Sequence, residues 1–209
     1  MIYIKSKFTL LLCCFFVVGN VLLFSNLVFG EEINWKELNQ QTEGLLQDKP
    51  QDPIVRFEFA ISLANLGKVE ESYEQFEILG KEETREQSRQ KIEENIKEIT
   101  DNKLLKYNYQ AFLAVVDKNY EESIEYFKYL IEFNPENVWS YNYLAASYYE
   151  LGDLEKAKNT LDNALEIKDN SYSHLLYGLI YLEENSYFRA IRSFNRSGQL
   201  FNIIAEEVL

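Results

Sequence analysis

The chain of 209 residues holds one histidine, His174, and two cysteines, Cys13 and Cys14. A zinc site needs three or four His, Cys or carboxylate ligands at set spacings, and this complement does not supply them. Both cysteines lie inside an apolar N-terminal run, so the rest of the chain has no thiol nucleophile and no disulfide framework. No glycine-rich loop has the spacing that cradles phosphate. The paired carboxylates Glu70–Glu71 and Glu121–Glu122 are adjacent in sequence and open helical patterns. There they suit the positive end of a helix dipole rather than acid/base work. Taken together, these residues point away from an enzyme and away from any metal or cofactor.

What remains is a charged surface and a great deal of apolar surface to bury. The formal charge is −13. Lys5 and Lys7 are the only charged residues before Glu31; without them, 19 basic and 34 acidic residues leave −15. Nucleic acid is excluded as a partner, because phosphate contact needs clustered Lys and Arg. Anionic lipid heads repel such a surface as well.

The first 30 residues read as a leader. Lys5 and Lys7 precede Phe8–Phe29, an uncharged run of 22 residues. As a helix at 1.5 Å per residue it would be roughly 33 Å long, enough to cross a bilayer core of about 30 Å. Two readings stand. One is a signal peptide cut after Gly30; the other is an uncleaved anchor, favoured by a run longer than the usual apolar core of a signal. Both put the body outside the cytoplasm, in the cell envelope or secreted, with the membrane touched only through this segment. A thiol-free body is compatible with an oxidising compartment.

Beyond the leader the apolar residues recur at helical spacing in pairs of runs. In Val138–Asn170, Tyr141, Leu144, Ala145 and Tyr148 form one run. Leu151-Gly152-Asp153 makes a turn suited to a left-handed helix end, and Leu154, Ala157, Leu161, Ala164 and Leu165 form the second run. Leu104–Asn137 matches with Tyr107, Ala111, Ala114, Ser123, Phe127, Leu130 and Pro135. Ser123 to Ala157 is 34 residues and Ala157 to Ala190 is 33. Residues 53–80 offer a further unit with Ala60, Leu63, Leu66, Gly67 and Ser72, and 171–202 another with Gly178, Tyr181, Ala190 and Phe194. Ser72 to Ser123 is 51, one helix more than a single period, so residues 81–100 are an inserted helix with a narrow Ile92/Ile96/Ile99 stripe. It either prolongs the helix before it or packs as a separate strut. Trp35–Gln47 reads as a lone second-half helix, and 199–209 as a short, apolar C-terminal cap.

These units resemble the tetratricopeptide repeat (TPR), whose period is 34 residues. Tyr141, Leu144, Ala145, Tyr148, Leu151, Gly152, Ala157, Leu161 and Ala164 fill that family's places, with Asp169 where a proline is usual. The resemblance implies an all-α solenoid over residues 31–209, in which small residues let paired helices approach and neighbours stack into one core. It also implies that His174 stands where the family packs a large residue between helices.

The family's first helices line a concave groove. The resemblance therefore makes the protein an exported scaffold that binds a protein or peptide. The residues facing that groove would be Leu105, Asn108, Phe112 and Val116, then Trp139, Asn142, Ala146 and Tyr149, then Tyr172, Leu175, Leu179 and Leu182. Asn108 and Asn142, one repeat apart, would offer amides to the main chain of an extended peptide. No basic residue stands at the matching inner places, so no clamp for a terminal carboxylate is expected. Independently of the resemblance, Leu104–Val116 is apolar almost all round, so it is either buried on every side or open to a partner. The alternative is a structural module of the cell envelope that self-associates through the apolar C-terminus and the inserted helix. Arg189, Arg192 and Arg196 recur at helical spacing there, as a basic patch or a solvated face.

Overall fold

The computed structural model describes residues 28–29, 32–80, 85–198 and 200–201. Of the leader, only Val28 and Phe29 fall within them, as does only the start of the 199–209 cap. Among the described residues there are ten helices: α1 Trp35–Asp48, α2 Pro53–Asn65, α3 Val69–Leu79, α4 Arg85–Glu98, α5 Lys103–Val116, α6 Tyr120–Phe133, α7 Val138–Glu150, α8 Leu154–Ile167, α9 Ser171–Glu183 and α10 Tyr187–Ser197. Ahead of them, β1 (Val28–Phe29) and β2 (Glu32–Ile33) form a two-residue antiparallel pair, Val28 opposite Ile33 and Phe29 opposite Glu32. The architecture is an all-α solenoid with this small pair at its entrance.

Local sequence explains where the helices begin. Seven of them open on an Asn or Asp whose side chain accepts a backbone N–H of the first turn: Asn34, Asp52, Asn102, Asn119, Asn137, Asp153 and Asn170. Each satisfies a donor that the helix cannot pair internally. Glu70 and Glu71 in α3, and Glu121 and Glu122 in α6, lie in first turns.

The turns mark the repeat. Consecutive helices pack as hairpins, α2 with α3, α5 with α6, α7 with α8 and α9 with α10. Each hairpin turn holds one residue at positive φ: Gly67 (79°), Lys118 (58°), Gly152 (76°) and Asn185 (57°). These stand 51, 34 and 33 residues apart, the spacing of the small residues Ser72, Ser123, Ala157 and Ala190. Those four are at most 2% exposed, as are Ala60, Ala111 and Ala145 opposite them. Within the last hairpin the approach is close at Gly178, where a Cβ would lie 2.3 Å from the Phe194 ring.

The inserted helix α4 is a separate strut. It packs on α2 and α5, burying Ile92 and Ile96. Arg89 ties it to the end of α5 through a 2.7 Å contact with Asp117. One continuous apolar core runs from Ile33 to Ile180, and a smaller cluster of Leu175, Ala190 and Phe194 takes in Leu200 and Phe201. None of the described helices is long and apolar enough to cross a membrane.

Candidate protein-binding face

The first helices α2, α5, α7 and α9 are the elements that the groove expectation concerns. The structure splits the twelve residues into two groups. Leu105, Asn108, Phe112, Asn142 and Leu175 are at most 8% exposed and belong to the interior. Val116, Trp139, Ala146, Tyr149, Tyr172 and Leu179 are half-buried, and Leu182 is 43% exposed.

The buried group corrects the sequence reading, and the cause is visible around α5. Phe112 stacks on Phe76 of α3 at 5.8 Å and meets the edges of Phe127 and Tyr143 at 5.5 and 4.9 Å. A ring so enclosed contributes about 1.5–3 kcal/mol to folding and offers nothing to a ligand. Across the inner side, α7 reaches α2 directly. Trp139 lies against Gly67, where its nearest ring carbon would be 2.1 Å from a Cβ. The Asn137 amide donates to the Asn65 carbonyl at 3.4 Å, and Asn65 in turn donates to Asn108 at 3.4 Å. Here the solenoid's inner side is filled by its own helices. Leu104–Val116 is apolar almost all round because α5 is the centre of the molecule.

The two amides are spent on the protein itself. Asn108 donates to the Leu104 carbonyl at 3.1 Å. Asn142, fully buried, donates to Asn170 at 3.1 Å and accepts from the Ser173 hydroxyl at 2.6 Å, joining α7 to the start of α9. Val116 faces away from the inner side and, with Leu79, Arg89 and Ile92, lines a small void beside α4.

What stays accessible lies on α7 and α9. Ala146 and Tyr149 follow Asn142 by one and two turns on α7, and Leu179 and Leu182 continue the Tyr172–Leu175 face of α9. Carboxylates frame this strip. Burial first, then Glu183 and Glu150, push the Tyr149 hydroxyl above its ordinary value. Burial and Glu150 push Tyr172 well up too. The strip is therefore apolar with an acidic rim.

Residues 115–180 match the family model described as tetratricopeptide repeat. This stretch of the chain is built of tetratricopeptide repeats. Among solved structures, these repeats are similar to TTC0263, a thermophilic TPR protein of Thermus thermophilus, at 18% identity over 78% of this chain and 81% of that one, with a TM-score of 0.46. They are also similar to MamA from Desulfovibrio magneticus RS-1, at 17% identity over 79% and 85% with a TM-score of 0.44. A chain of the CopN–Scc3 complex shares 24% over 54% and 71%, with a TM-score of 0.44. Comparison with curated proteins finds no match.

His174 has the packing place that its repeat position implies. It is 4% exposed, and its Nε2 lies 2.6 Å from Asp169, which Arg196 also contacts. The hydrogen bond from His174 chiefly holds the Asp169 carboxyl below its usual value. The residue that normally would be an exit proline thus anchors α9 to α10. Among the described residues, no group of three or more His, Cys, Asp or Glu side chains is placed to hold a metal ion.

One residue escaped the sequence reading. Glu58 of α2 is 3% exposed, and burial raises its carboxyl to about 8. Tyr109 of α5 opposes the shift by facing the carboxyl, without reaching regular hydrogen-bond geometry, and Asp52 adds to it. The signal was a lone carboxylate between Phe57 and Phe59 in a mostly apolar helix.

Proposed function

We propose that the protein is a scaffold that binds another protein through the strip formed by Tyr149, Leu179 and Leu182, with Ala146 and Tyr172 beside it. The observation that carries this reading is the contrast within the inner side. Around α5 that side is closed by Trp139 against Gly67, while Leu182 remains 43% exposed on α9. Glu150 and Glu183 make a basic, apolar segment the complementary ligand, since unlike charges at the rim steer association and select partners. The small area favours a short segment over a broad globular face. A catalytic role finds no support in the residues of this strip.

The scaffold works outside the cytoplasm in this reading. Support comes from Lys5 and Lys7 ahead of the uncharged run Phe8–Phe29 and the acidic pair Glu31–Glu32 behind it.

Panning a random peptide library displayed on phage against the chain tests the strip. Recovered sequences should combine two or more large apolar residues with Lys or Arg. Recovery of only acidic sequences, or of none, would contradict the reading.

A further inference from the structure

The second helices of the four repeats share one register. Ser72, Ser123, Ala157 and Ala190 are buried, and the residue after each stands at the same position: Tyr73, Ile124, Lys158 and Ile191. Where another repeat follows directly, this position is covered. With α7 packed on α6, Ile124 is 6% exposed. With α9 packed on α8, the Lys158 side chain is 21% exposed and bonds Glu184 just beyond α9 at 2.6 Å. On α10, by contrast, Ile191 is 57% exposed, beside Tyr187 at 59% and Phe188 at 92%. On α3, which the strut α4 follows, Tyr73 is 48% exposed and Ile78 37%.

The two helices with exposed apolar faces carry opposite charge. Helix α10 has Arg189, Arg192 and Arg196 and no acidic residue, on a chain of net charge −13. Arg196 contacts Asp169, and Arg189 lies over the Tyr181 ring, while Arg192 is exposed beside Ile191. Helix α3 has Glu70, Glu71, Glu74 and Glu77 and no basic residue; among the described residues only Glu71 of these meets a lysine, Lys68. A face that accepts a helix within the solenoid thus recurs at both ends with complementary sign.

We propose that α10 of one copy docks on α3 of a second copy. Tyr187, Phe188 and Ile191 pack on Tyr73 and Ile78, and Arg192 faces Glu74 and Glu77. The contact is heterologous, two different surfaces of the same chain, so each copy has one of each to offer.

Sedimentation velocity tests this with two variants whose circular dichroism should equal that of the wild type, since every altered side chain is exposed. The first, Phe188→Glu with Ile191→Glu, removes the α10 face. The second, Glu74→Lys with Glu77→Lys, removes the α3 face. The wild type should associate with rising concentration, and more weakly at high salt because the charges are screened. Each variant alone should associate at least roughly tenfold more weakly, and Arg192→Glu, a single exposed change, should weaken it in the same direction. Mixing the two variants should restore a one-to-one pair, because one keeps a working α3 and the other a working α10. A wild type that stays monomeric at its highest soluble concentration overturns the proposal. So do variants that associate as the wild type does, and a mixture that stays monomeric.

Discussion

The indole of Trp139 on α7 occupies the space that a Cβ at Gly67 would need, 72 residues earlier in the chain. This contact joins the first and third hairpins, which α4, α5 and α6 separate in the chain. It depends on glycine twice, because Gly67 also sits at φ 79°. Gly67→Ala should therefore displace the indole and strain the turn, costing about 2–4 kcal/mol. Gly152→Ala is the control. Its φ is 76° but a Cβ there meets nothing within 4 Å, so the loss should be about 1 kcal/mol. Urea denaturation of both variants measures the difference. Equal losses would mean that the Trp139 contact contributes nothing.

Glu58 predicts how stability depends on pH. Its carboxyl has an ordinary value of 4.5 when unfolded and about 8 when folded. The folded state binds the proton more tightly, so this group's stabilising contribution is complete below the unfolded value. It is lost as pH rises between about 4.5 and about 8, after which the loss is constant. Glu58→Gln keeps the shape and removes the titration. The variant should be more stable than the wild type at pH 8, by a few kcal/mol on the scale of 1.36 kcal/mol per pKa unit, with the gap closing toward pH 4.5. Thermal unfolding at several pH values checks this. A gap that stays constant with pH would contradict the buried setting of Glu58.

The buried amide at Asn142 holds the α7–α9 junction. Asn142→Ala leaves the buried Ser173 hydroxyl without its acceptor and takes one of two donors from the Asn170 side-chain carbonyl, which keeps the Ser173 backbone N–H. The cost should be about 1–3 kcal/mol, the range for stranding buried polar groups. The exposed Asn159→Ala should change little. Denaturant midpoints of the two variants decide it, and an equal, small effect would return Asn142 to the role of a ligand-facing side chain.

These cases show what could be read from the chain and what could not. Ser72, Ser123, Ala157 and Ala190 recur with the spacing of the hairpin turns, because one repeat can bury its apolar face only against another in phase. That made the helix pairs and the inserted helix legible, while leaving open whether the insert prolongs the helix before it or stands apart. Two turn residues, Lys118 and Asn185, hide in the sequence, since glycine is the usual sign of positive φ and neither is glycine. The inner side was misread for a geometric reason. Repeat position puts Asn108 and Asn142 on the groove-facing side of their helices, yet they are 4% and 0% exposed and bond within the protein. Trp139 of α7 meets Gly67 at the end of α2, a contact between distant residues that no local pattern contains. With α7 brought onto α2, the inner residues of α5 become core, and only α7 and α9 keep an accessible strip.

The central claim is that this strip, rather than the whole inner side, binds a protein ligand. Its most direct test is calorimetric titration of a peptide recovered by phage selection into the wild type, Leu182→Glu, Tyr149→Ala and, as a distant surface change, Phe133→Glu. Leu182 and Phe133 are similarly exposed, at 43% and 37%, so neither change disturbs the core. The account predicts that Leu182→Glu and Tyr149→Ala each weaken binding by roughly tenfold or more, while Phe133→Glu leaves it unchanged. Equal affinity for all four proteins would contradict it.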